Sequence, residues 1–122
     1  MIKCFMVQSL RGGEFRHNDK ILAYEELPVG SMWFADWYSR KGPDGHRLFV
    51  MTPGGSWSPD GRANNCTKPN DNEHYCWVRH GIPPDITVDK NGNTCGCGHS
   101  IGLGPNYSAF HGFLTNGYLI SV

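Results

Sequence analysis

Apolar residues in this chain come in short bursts separated by polar, glycine or proline breaks. Nowhere do they recur at the three-to-four-residue spacing of a sustained amphipathic helix. The bursts predict strands over residues 2–8, 20–24, 32–35, 47–51, 74–79, 86–90, 110–115 and 118–122. The burst at 20–24 reads equally as the start of one helical turn. In the 74–79 burst, period-two alternation puts Tyr75, Trp77 and Arg79 on one face and His74, Cys76 and Val78 on the other. Leu27-Pro28-Val29-Gly30 and Gly42-Pro43-Asp44-Gly45 read as turns. Asn91-Gly92 and Asn116-Gly117 predict two-residue hairpins, because both residue types accept the positive φ of a type I′ turn. Residues 52–65 carry turn chemistry throughout and read as a loop pinned by Trp57. The expectation is a mainly β, single-domain antiparallel sheet or sandwich over residues 1–122, with short strands, hairpins and long irregular loops. Trp33, Phe34, Trp37, Trp57 and Trp77 are assigned to its core, since aromatic side chains dominate the burial of a small β domain.

Composition agrees with that picture. A chain of 122 residues fits one domain, and its 16 glycines and eight prolines suit frequent turns. The 11 basic and 11 acidic residues cancel, with no like-charge run longer than a pair. Nucleic acid and anionic membrane surfaces are therefore not expected as partners. No apolar run is long enough to span a bilayer. The opening residues lack the cleavage pattern of a signal peptide, so secretion by that route is not expected.

The chemistry concentrates between residues 66 and 99, where Cys66, His74, Cys76, His80, Cys95, Cys97 and His99 lie. Zinc takes four such ligands in a tetrahedron, often as close pairs from two loops. Cys95-Gly96-Cys97 offers one pair and His74-Tyr75-Cys76 another, each two residues apart and so on one side of an extended chain. Cys66, His74, Cys76, Cys95 and Cys97 are the expected ligand candidates for a structural zinc, with His80 and His99 in reserve. Two alternatives stand beside it: buried thiols acting as small hydrophobes, or a bridge such as Cys66 to Cys76. A cysteine-rich set favours a closed structural site over a catalytic one with an open position. No hydrolase, phosphate-loop or deaminase motif is present. A cysteine nucleophile with His80 or His111 as its base is the remaining catalytic arrangement.

Six stretches carry a family likeness: Gly42-Pro43-Asp44-Gly45, Pro53-Gly54-Gly55-Ser56-Trp57, Arg62-Ala63-Asn64-Asn65-Cys66, Cys76-Trp77-Val78-Arg79-His80-Gly81, Thr87-Val88-Asp89-Lys90-Asn91-Gly92 and His111-Gly112-Phe113-Leu114. In these the chain resembles small uncharacterised proteins of tailed bacteriophages and prophages. The resemblance implies a setting, the bacterial host cytoplasm or the phage virion, and brings no catalytic role. It points to a non-enzymatic virion component, decoration or tail-associated, acting by protein–protein binding to phage or host proteins, as a homo-oligomer or within a capsid or tail assembly. An early protein that inhibits a host or defence factor is the second expectation, and a small metal- or cysteine-dependent enzyme the third.

Overall fold

The computed structural model describes residues 1–92, 97, 98 and 100–122. Its strands are β1 (Ile2–Lys3), β2 (Phe5–Met6), β3 (Gln8–Ser9), β4 (Glu14–His17), β5 (Lys20–Ala23), β6 (Ser31–Phe34), β7 (Leu48–Thr52), β8 (Gly55–Trp57), β9 (Val78–His80), β10 (Thr87–Asp89), β11 (Ile101–Leu103), β12 (Phe110–Thr115) and β13 (Tyr118–Ser121). They form three sheets. The largest runs β1-β13-β12-β10-β9, with β11 also on β12; the second is β2-β6-β7-β8 and the third β3-β4-β5. Every pairing is antiparallel except β2 with β6.

The second sheet is the middle layer, and strand alternation explains why. Met32, Leu48 and Val50 point into a main core shared with Ile86, Val88, Leu114 and Leu119 of the largest sheet. Trp33 and Met51, offset by one residue, point into a second core with Val7, Phe15 and Leu27. A period of two therefore feeds two cores from one pair of strands.

Residues 2–8 do not form one strand. They give three two-residue strands, one to each sheet. Cys4 is buried in the main core and Val7 in the second, so the segment changes face as it passes between them. Its amides follow, Cys4 N donating to Gly117 O and Val7 N to Met32 O, both at 2.8 Å. The hairpin at Asn116-Gly117 forms as expected, with φ of 50° and 79° joining β12 to β13. The Asn91-Gly92 turn is present, and residues 93–96, where the second half of the expected hairpin falls, lie outside the described residues. Of the burst at 74–79, only Val78 onward is strand. Trp33, Trp57 and Trp77 are buried, whereas Trp37 is 71% exposed and not a core residue.

One buried guanidinium ties the loops to this framework. The Arg79 and Asp60 side chains are each only 2% exposed, and Arg79 Nε donates to Asp60 Oδ1 at 3.0 Å. Its Nη atoms donate to both carboxylate oxygens of Asp44, at 2.8 and 2.7 Å, and Nη2 also to His46 O at 2.8 Å. Asp60 Oδ2 in turn accepts the Leu48 amide at 2.8 Å. Two bidentate contacts satisfy the planar fork, which a lysine would not do. Gly42 lies so close that a methyl there would overlap the Arg79 guanidinium. Removing Arg79 strands the buried Asp60, so Arg79→Met should cost about 3–5 kcal/mol in urea unfolding.

Acid should weaken the same cluster. Burial raises the Asp44 carboxyl, but the Arg79 hydrogen bonds and charge outweigh it and hold it below the ordinary value. A depressed carboxylate contributes fully above its unfolded pKa, about 3.9, and the contribution is lost as pH falls through the lower folded value. The acid limb of a stability-versus-pH curve should accordingly be shallower in Asp44→Asn than in the parent.

Candidate metal centre

Cys66, His74, Cys76 and Cys97 bring one ligand atom each to a common point, all four within 4.8 Å of one another. Cys97 Sγ lies 3.6 Å from Cys76 Sγ and 3.5 Å from His74 Nε2, and Cys76 Sγ lies 3.8 Å from that nitrogen. Cys76 and Cys97 are fully buried and belong to the main core; Cys66 and His74 close the group from the solvent side. The set could hold a metal ion. Four of the five expected candidates or their neighbours are thus accounted for: Cys66, His74, Cys76 and Cys97 converge, while Cys95 and the reserve His99 lie outside the described residues. The other reserve, His80, pairs through Nε2 with Asp89 Oδ1 at 2.7 Å instead.

The four residues come from a stretch with little regular structure, and side chains from elsewhere hold it. Arg62 Nη1 donates to Lys68 O at 2.8 Å and Nη2 to Asp71 O, closing the loop that carries Cys66. Arg40 donates to the carbonyls of Asn72 and His74 and lies 4.3 Å over the Tyr75 ring. Lys90 Nζ donates to Cys76 O at 2.7 Å and also to Cys97 O, clamping the two buried ligand loops together. Gly98 has φ of 67°, and a Cβ there would sit 3.0 Å from that of Cys76. Only glycine allows that turn and that approach together. Spacing does not single out these cations, because each acts through backbone carbonyls, whose partners no side-chain pattern marks.

The electrostatics suit anionic sulfur. The Lys68 amide donates to Cys66 Sγ at 3.4 Å and, with Arg62, holds that thiol below its ordinary pKa. Burial pushes Cys76 up, with Cys66 adding repulsion, so a cation between them is the natural counter-charge. Burial, then Lys68, lowers His74 below the ordinary imidazole value, which favours the neutral ring that binds metal. The fifth cysteine, Cys4, is pushed up to about 11 by burial. It is far from reactive.

Cys66 and Cys76 are both free thiols, so the bridge between them is not formed. Cys97 is disulfide-bonded, and a sulfur in that state supplies no thiolate. Bond and metal are therefore competing states of one site, and metal binding requires Cys97 in its reduced form.

Of the two histidines weighed as a base, His80 Nε2 lies 2.7 Å from Asp89 Oδ1 and His111 Nε2 lies 2.7 Å from Ser100 Oγ. Elsewhere, a groove of about 700 Å³ opens between the second and third sheets. Phe15, Tyr24, Trp33, Trp37, Tyr38 and Phe49 line it, with Arg11 and Asp36 beside them. No family model, curated protein or solved structure matches the chain.

The clamp makes a prediction. Metal-site residues that act through a neighbour typically cost about 10- to 100-fold in affinity when removed. Lys90→Met should lower metal affinity within that range, read by competition with a chromophoric chelator, while leaving the stoichiometry unchanged.

Proposed function

We propose that this protein is a non-enzymatic binding module whose β fold is stapled by a structural zinc ion. The spacing of the ligand atoms carries the reading. A zinc tetrahedron with bonds of about 2.3 Å to sulfur and 2.0–2.1 Å to nitrogen has edges of about 3.8 Å between sulfurs and 3.5 Å from nitrogen to sulfur. The separations here are 3.6 Å between the Cys76 and Cys97 sulfurs and 3.8 and 3.5 Å from His74 Nε2 to those two, with Cys66 completing the group within 4.8 Å of the others. Three thiolates, one neutral imidazole and Zn²⁺ leave one net negative charge, which Arg62, Lys68 and Lys90 surround. Four protein ligands also fill the coordination sphere, leaving no position for a substrate. Protein purified with reductant and without chelator should contain about one zinc per chain by elemental analysis. Metal-free protein that melts at an unchanged temperature in chelator would exclude a structural ion.

The working surface in this proposal is the aromatic groove. Trp37 stands 71% exposed at its edge, and Tyr24 and Tyr38 are each 42% exposed. Exposed aromatics gathered in one concavity are characteristic of protein-binding anchors. The sequence resemblance supports a virion accessory component as the setting, with inhibition of a host or defence factor as the second reading. Mass spectrometry of washed particles separates them: the first requires the protein in the virion and the second its absence. Trp37→Ala should change the unfolding free energy by no more than the scatter of surface substitutions, about 0.5 kcal/mol, yet abolish incorporation into particles.

A further inference from the structure

We propose that a second cleft, distinct from the aromatic groove, binds a small ligand bearing a carboxylate or phosphate group. This cleft has a volume of about 340 Å³ and lies beside the metal-bearing loops. That is at the lower end of the range for small-molecule sites, roughly 300–1,000 Å³.

Its wall holds polar donors without partners. Trp57 and Trp77, 7% and 6% exposed, both line the cleft, and the indole N–H of each is buried with no hydrogen-bond partner. An amide-like donor left in that state costs about 1–3 kcal/mol, so two in one place call for an acceptor. Ser58 Oγ, also on the wall, already accepts from Arg47 Nε at 2.8 Å and from the Asp60 amide at 3.2 Å, which leaves its own hydrogen to donate.

Charge points the same way. Arg47 is half-buried and lines the cleft, and among the described residues no carboxylate lies within ion-pairing distance of it. Its guanidinium instead rests over the rings of Tyr38 and Phe49, at 4.7 and 5.1 Å, with Nε alone hydrogen-bonded. Burial lowers its pKa more than the nearby Asp60 charge raises it. No aspartate or glutamate is among the described lining residues. An oxyanion would accept from the serine and the Nη groups, and from the two buried indoles as the wall around them opens to admit it.

The indole protons themselves provide the test. The chain has four tryptophans, so a ¹H–¹⁵N spectrum of the full chain shows four indole signals, assignable with single Trp→Phe variants. Titration with sodium phosphate and, separately, sodium malonate should move the Trp57 and Trp77 signals to a plateau and leave Trp33 and Trp37 in place. Response to phosphate alone or to malonate alone identifies which oxyanion the cleft takes. Arg47→Met should weaken binding about tenfold or more, as loss of a charge-assisted contact requires. Ser58→Ala, which keeps the arginine and its ring contacts, should weaken it less but measurably. The proposal is overturned if neither anion gives a saturable shift at Trp57 or Trp77. It is equally overturned if sodium chloride at matched ionic strength gives the same shifts, or if both variants bind as the parent does.

Discussion

The Arg79 guanidinium is the contact on which the arrangement of this chain depends. It joins three segments that share no sheet: the turn at Asp44, the loop at Asp60 and the start of β9. Through Asp60 it also fixes the amide of Leu48, the first residue of β7. A buried ion pair is weak evidence for net stability, but breaking one is costly. Its effect here is positional. Because Arg79 is pinned, the chain three residues earlier is pinned too, and that is where Cys76 enters the core.

The metal group is built on that anchor. Cys76 and Cys97 are core residues in the ordinary hydrophobic sense, packed with Ile86, Val88 and Trp77. Cys66 and His74 come from a loop that has carbonyls to satisfy and few strands to satisfy them, so Arg40 and Arg62 do it. Such a loop has little apolar burial of its own, and a domain of this size relies on added ties where the core is thin. An ion at the sulfurs would join the loop to the core by four bonds. The disulfide at Cys97 gives the same residue a second use, exclusive of the first. Which state prevails depends on the redox poise around the protein.

Much of this was legible in the sequence, for identifiable reasons. The strands at Met32–Phe34 and Leu48–Met51 announce themselves by uninterrupted apolar runs, because they are the middle layer with both faces covered. The Asn116-Gly117 hairpin follows from turn chemistry alone. His74 and Cys76 stand out by clustering and spacing, though the strand whose alternation would set their common face begins only at Val78. What was not legible depends on distance. Strand β4 pairs with β5 through Asn18-Asp19, a weak turn signal between polar residues, and β11 is a glycine-interrupted strand that only its partner β12 defines. Trp37 reads as core by residue type, and its exposure is visible only once the groove exists. The roles of Arg40, Arg62, Arg79 and Lys90 are bonds to residues 10 or more positions away in most cases, which no local pattern encodes.

The proposal that Cys66, His74, Cys76 and Cys97 hold a single zinc in a closed tetrahedron has a direct spectroscopic test. X-ray absorption at the zinc edge of the reduced, zinc-loaded protein tests it most directly. The account predicts a first shell of three sulfurs at about 2.3 Å and one nitrogen at about 2.0–2.1 Å, with the nitrogen lost in His74→Ala. A four-sulfur shell, or one with two or more light-atom ligands, would contradict it.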